Sequence, residues 1–223
     1  MNNFRRLIVT HIGLAAFSCQ VIPSFAQVKG EASKEGMASR PYRVVDVPAD
    51  KGSVLIFFDF SCQFCAKYHS SLMRWSKSVP SSIKVTPVPV VNSADHIKVA
   101  EQTIAARCYY LAASMIGGDR LDAFSNSVYE SVGKGLSLRD SAIWTRACQA
   151  VQIDVKEFAR RLVVENQENR IRYSAAMVLA YQLKATPSIG IGGKYVLTPD
   201  DVNGDSTMFF NILNGLTSKT ILS

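Results

Sequence analysis

The chain has 223 residues, 48% of them apolar and 19% charged, with a formal net charge of +7. That is too apolar for a disordered polyelectrolyte. With no lysine or arginine cluster longer than two residues, it also gives no electrostatic footprint for binding nucleic acid.

The amino terminus sets the compartment. Arg5 and Arg6 precede a mostly apolar stretch from Leu7 to Phe17, and Ser24-Phe25-Ala26 offers small residues at the two positions that flank a cleavage site. The apolar stretch is short against the roughly 20 residues of a spanning helix, so residues 1–26 read as a signal peptide cleaved before Gln27. Bulky Phe17 makes Cys19 a poor match to a lipidation site. Removing 26 of the 223 residues leaves 197, enough for one domain or a small domain with an insertion. It also removes Arg5, Arg6 and no acid, which lowers the charge from +7 to +5. Four cysteines remain, Cys62, Cys65, Cys108 and Cys148, an even number in an exported, oxidising setting.

Beyond a leader over residues 27–40 that is poor in large apolar side chains, Tyr42 to Val47 alternates weakly as a first strand. Val54-Leu55-Ile56-Phe57-Phe58 is a continuous apolar run, the mark of a strand covered on both faces. From Cys62 the period becomes helical: Phe64, Tyr68, Leu72 and Trp75 lie along one face of a helix ending near Val79-Pro80. Ile83, Val85, Val88 and Val90 predict the next strand, and Pro87 and Pro89 place its end at an edge or a loop. Residues 93–166 carry helical periodicity broken at Gly117-Gly118-Asp119 and Gly133-Lys134-Gly135, which predicts three or four helices. A further helix spans about Glu168 to Leu183. Pro187 to Ile191 and Lys194 to Leu197 then form a hairpin turning at Gly192-Gly193, and Met208 to Leu216 closes the chain as an amphipathic helix.

Cys62-Gln63-Phe64-Cys65 falls where the apolar strand hands over to the first helix. There the unpaired amides of the first helical turn and the positive end of the macrodipole favour the thiolate of Cys62, the species that attacks disulfides. Cysteines so placed have pKa values of about 3.5 to 7.5. Cys65, one turn further in, is expected to be the buried resolving thiol. The competing reading is a zinc site completed by His69, but a closed structural site needs four ligands and His96 is the only other histidine of the mature chain. A purely structural bridge is disfavoured because so small a ring removes little chain entropy.

The apolar strand, the Cys62–Cys65 motif, the helical block and the run Ala185-Thr186-Pro187-Ser188-Ile189-Gly190-Ile191-Gly192-Gly193-Lys194-Tyr195-Val196-Leu197 together resemble the DsbA family of periplasmic thiol:disulfide oxidoreductases. The resemblance implies an α/β chain: a thioredoxin fold over residues 27–92 and 167–223, with an all-helical insertion over residues 93–166. It implies that Pro187 is a cis-proline facing the cysteine pair. Thr186, Pro187, Gln63 and Phe64 would then meet substrate. No cofactor or resident metal is expected. The implied partners are unfolded secreted polypeptides and a DsbB-type, quinone-linked reoxidase of the inner membrane, and the implied location is the periplasm.

This sequence departs from the better-known members at three places. Gln63-Phe64 stands where they often carry Pro-His, so Cys62 should be less acidic and the protein a weaker oxidant unless another group compensates. Ile56 stands where many thioredoxin-like proteins carry a buried acid, which leaves Asp59 and His69 as the nearby titratable candidates for proton transfer to Cys65. Thr186 is, by the same resemblance, more usual in isomerases and reductases.

A disulfide isomerase or reductase on the same fold is therefore one alternative, although only about 15 residues separate Gln27 from the first strand, too few for a separate dimerisation module. A binding module or assembly chaperone using the apolar surface around Phe64 is another. Cys108 and Cys148, on two helices of the insertion, are candidates for a structural disulfide closing a loop of about 40 residues.

Overall fold

The structure is a computed structural model that describes residues 40–91 and 101–221. The expected signal peptide, its cleavage site, most of the leader and His96 lie outside the described residues. The elements in chain order are β1 (Arg43–Val44), β2 (Ser53–Phe58), α1 (Gln63–Ser78), β3 (Lys84–Pro89), α2 (Glu101–Met115), α3 (Gly118–Gly133), α4 (Ser141–Ala150), α5 (Val155–Val164), α6 (Glu168–Ala180), β4 (Ser188–Ile191), β5 (Tyr195–Leu197) and α7 (Ser206–Ile221).

The strands form one five-stranded sheet in the order β1-β5-β4-β2-β3, with β2 and β3 parallel and the other neighbours antiparallel. Because successive side chains of a strand point to opposite faces, the apolar run of β2 is divided between two cores. Val54 and Ile56 join Tyr68 and Leu72 of α1 and Phe209 and Leu213 of α7 on one face. Leu55 and Phe57 join Val88, Val196 and Tyr181 on the other. This is the two-sided cover that the continuous run predicts.

β3 lies at the margin of the sheet. Val90 just beyond it donates its amide to the Phe58 carbonyl at 2.8 Å, so the alternate positions Pro87 and Pro89 turn their nitrogens to the unpaired side. The sequence pairs a strand pattern with two prolines for that reason. At the other end of the fold, Gly192 and Gly193 turn the β4–β5 hairpin with φ of +60° and +66°. A Cβ on Gly193 would stand 1.9 Å from the Val47 carbonyl oxygen, so the turn needs glycine both for its backbone and for its close approach to the chain beside β1.

Among the described residues, four helices, α2 to α5, lie between β3 and α6. Their core is continuous with the end of β2. Phe58, Phe60 and Cys65 belong to the same buried cluster as Tyr109, Phe124, Tyr129, Trp144 and Cys148. Phe60, in the loop between β2 and α1, packs its ring 4.9 Å from that of Tyr129 and 6.3 Å from those of Tyr109 and Trp144, centroid to centroid. The loop that presents the cysteines is thereby held from below by the helical block.

Candidate active site: a polarised cysteine pair

Cys62 caps α1 rather than beginning it. Its backbone is extended (φ −86°, ψ 117°), and its sulfur accepts from the Cys65 amide at 3.3 Å, the position a serine oxygen takes at an ordinary N-cap. The helix therefore starts one residue later than the sequence pattern places it. The amides of the first turn still reach the sulfur.

Across the site, the Cys62 thiol donates to the Thr186 carbonyl at 3.2 Å. The peptide bond from Thr186 to Pro187 is cis, as the resemblance implies. Thr186 and Pro187, on the approach to β4, are thus brought to the cysteine pair. Gln63 and Phe64 are exposed beside them, and Phe64 leaves 56% of its surface open to solvent.

The two sulfurs have opposite surroundings. Cys62 is half-buried, and its pKa is lowered to about 6. The hydrogen bond from the Cys65 side chain contributes most, burial works against it, and the Thr186 hydroxyl and the amides of Cys65 and Phe64 add to the lowering. Cys65 is 2% exposed and its pKa is raised, first by the Cys62 side chain and then by burial, with a 3.4 Å hydrogen bond from the Asp59 amide opposing. One sulfur is a thiolate near neutrality and its neighbour a thiol. The Thr186 hydroxyl is thus one of several groups that lower Cys62 although the central dipeptide lacks a histidine. Sequence reasoning placed Thr186 among the residues that meet substrate but assigned its hydroxyl no effect on Cys62, because which loop faces the helix cap is a property of the fold.

Asp59 is held in place by hydrogen bonds. Its carboxylate accepts from the amide and hydroxyl of Ser61 at 2.8 and 2.7 Å and from Gln102 of α2 at 2.6 Å, tying the cysteine loop to the helical block. His69, one turn beyond Cys65 on α1, faces inward, and burial lowers its pKa while Asp122 of α3 opposes. Its ring lies 5.2 Å from that of Tyr129. Nothing in the sequence marked Tyr129, which α3 brings in from far along the chain.

Cys108 and Cys148 are not part of this site. All four described cysteines are thiols, so no bridge joins Cys108 to Cys148 in this structure. Both are fully buried in the apolar core of the helical block. Burial raises Cys108 to about 12 and Cys148 to about 11. Such thiols pack as small apolar residues.

The sheet order, the capping Cys-x-x-Cys pair, the facing cis-proline and the helices between β3 and β4 define a thioredoxin fold carrying an inserted helical unit. Solved structures of two DsbA proteins share it. The chain aligns with Pseudomonas aeruginosa DsbA at a TM-score of 0.65 and 16% identity, over 80% of this chain and 91% of that one. For NmDsbA1 of N. meningitidis the values are 0.60 and 22%, over 82% and 94%. Among curated proteins it is similar to the thiol:disulfide interchange protein DsbA of Burkholderia cepacia, 22% identical over 208 residues that make up 91% of this chain and 90% of the relative. The DsbA of Bordetella pertussis is 21% identical over 187 residues, 83% of this chain and 85% of that protein. No family model matches. The DsbA resemblance read from the sequence is carried by nearly the whole chain.

Proposed function

We propose that this protein is a DsbA-type thiol:disulfide oxidoreductase that introduces disulfide bonds into exported polypeptides through Cys62 and Cys65. The observation that carries the reading is the contrast between the two sulfurs, one lowered to about 6 at a helix cap and the other buried and raised. Stabilising the Cys62 thiolate stabilises the dithiol, which makes the disulfide form oxidising.

In the proposed cycle the oxidised pair meets a client thiolate, which attacks the Cys62 sulfur. The Cys62–Cys65 bond breaks, Cys65 leaves with the electron pair and is protonated, and a client–Cys62 disulfide forms. A second client thiolate then attacks the client sulfur of that bond. The client disulfide departs, and Cys62 remains as thiolate. Exposed Gln63 and Phe64, with Thr186 and Pro187 opposite, form the surface that the client chain meets. The helical unit over residues 93–166 interrupts the thioredoxin core and supplies the floor of the site. Export to the periplasm follows from the signal-like amino terminus, and a quinone-linked, DsbB-type membrane protein is the reoxidant.

The test is oxidative refolding of a reduced, unfolded secretory protein by the oxidised mature chain. Parent protein should form client disulfides, Cys62→Ser should form none, and Cys65→Ser should accumulate client–Cys62 mixed disulfides. A chaperone would keep its protection of the client in both variants. An equilibrium potential against glutathione near that of cytosolic thioredoxins would reverse the oxidase reading in favour of a reductase.

A further inference from the structure

Behind Cys65 the structure has a pocket of about 270 Å³ between α1, the β2–β3 side of the sheet and α3. Most of its wall is apolar. Besides Ser76, Lys77, Asp122 and Ser125, its polar lining includes the Cys65 sulfur, the His69 imidazole and the Tyr129 hydroxyl. Both His69 Nε2 and the Tyr129 hydroxyl are buried without a protein hydrogen-bond partner, and Tyr129 is only 7% exposed. His69 follows Cys65 by four positions on α1, so their side chains are neighbours on one helix face. A pocket of this size with several convergent polar groups is one that holds water, since buried polar groups left unpaired are costly and a water needs two or more partners.

His69 also lines a second, outer cleft with Ser70, Lys77, Asp122 and Asn126. Lys77 at its rim is ion-paired with Asp119 and, at 3.3 Å, with Asp122. The imidazole thus stands between the chamber that holds Cys65 and a charged cleft open to solvent. The titratable groups around it are Cys65, Arg74 and Lys77 on its own helix, Asp122 and Tyr129 from α3, and Tyr109 from α2. The strands contribute Ile56, Phe58, Val85 and Pro87 to this wall, none of them titratable.

We propose that His69 is the proton-positioning residue of Cys65, exchanging its proton with the outer cleft through water in the chamber, in the place where a buried acid is absent at Ile56. This rests on the thiol:disulfide reading above. When Cys65 closes on a mixed disulfide, its S–H proton passes through water to His69 Nε2. The Cys65 sulfur then attacks Cys62, the Cys62–Cys65 bond forms and the bond to the partner breaks. The partner leaves as thiolate with the electron pair, and both cysteines end oxidised. His69 releases the proton to the cleft beside Asp122. In the opposite direction it returns a proton to the departing Cys65 thiolate. Neutral imidazole suits the accepting role, and burial favours the neutral form of His69.

The experiment mixes the reduced mature protein with oxidised glutathione and follows two phases by acid quench and mass spectrometry. The first is formation of the Cys62–glutathione mixed disulfide, which depends on glutathione concentration. The second is its resolution by Cys65, which does not. In His69→Phe, which fills the space with an apolar ring, the first phase and the Cys62 titration should match the parent. The second should slow by about tenfold or more and lose its rise with pH, the scale expected of a lost general base. In His69→Ala, added imidazole should restore the second phase, with the pH dependence of imidazole itself; His69→Gln, which keeps a polar side chain, should remain slow. An unchanged resolution rate and pH profile in the variants overturns the proposal. So does equal slowing of both phases with a displaced Cys62 titration, which marks a structural role. If the parent protein forms no mixed disulfide, the oxidoreductase reading itself fails, and the two failures are told apart by the parent alone.

Discussion

The Thr186 carbonyl lies 3.2 Å from the Cys62 sulfur although 124 positions separate them, and the hydroxyl of the same residue helps to lower the Cys62 pKa. One residue on the loop before β4 therefore acts on the reactive sulfur through both its backbone and its side chain. It acts on Cys65 too, where its hydroxyl also lowers the pKa against the larger raising effects.

Thr186→Val should remove the hydroxyl while keeping the shape of the side chain. A hydrogen bond to a charged group contributes about 1.5 to 3 kcal/mol, so the Cys62 pKa should rise by about one unit or more. The disulfide should become correspondingly less oxidising. Thiolate absorbance during pH titration and equilibration against glutathione measure the two effects, which should move together.

For the parent protein, alkylation of Cys62 should follow a titration centred at about pH 6, far below that of an ordinary thiol. The folded pKa is depressed relative to the unfolded chain. Its stabilisation of the reduced fold is thus fully present above the unfolded value, near 9, and is lost as pH falls through about 6. Denaturation of the reduced and oxidised forms across that window should show the gap between them changing in this direction. A gap that is flat with pH would contradict the polarised pair.

Gly193→Ala places a methyl group 1.9 Å from the Val47 carbonyl and forces a side chain into φ +66°. The neighbour is backbone and cannot swing aside. The variant should lose about 2 to 3 kcal/mol of stability, measured by urea denaturation, while Cys62 alkylation in the folded protein stays as in the parent.

Cys108 and Cys148 are free thiols in one buried cluster here, and with the proposed export to an oxidising compartment their pairing is the expected outcome. Mass spectrometry of unreduced protein, alkylated in denaturant, should find both unmodified. The bridge would close a loop of about 40 residues and contribute up to about 4 kcal/mol. Modification of both would leave them as apolar core residues.

Much of the architecture is legible in the sequence because it depends on local patterns. The unbroken run Val54–Phe58 belongs to a strand with both faces covered, and Gly192-Gly193 marks the hairpin. The helical periodicity of the central block resolves into four helices among the described residues. The first strand, weak in its alternation, shrinks to Arg43–Val44 because only these residues pair with β5. Within the site, the cysteines are legible from their spacing and their position at a strand-to-helix junction. The role of the Thr186 hydroxyl, the tethering of Asp59 by Gln102 and the approach of Tyr129 to His69 are not. Each joins segments distant along the chain, and no periodicity encodes such a meeting.

The prolines of β3 have a consequence for a protein whose proposed partners are unstructured. A bare sheet margin is a template on which any extended polypeptide can lay down another strand. With Pro87 and Pro89 facing outward, that border offers no amide at either position. Visiting chains are denied a sticky flank there, and contact is left to the short-lived covalent embrace at the sulfur.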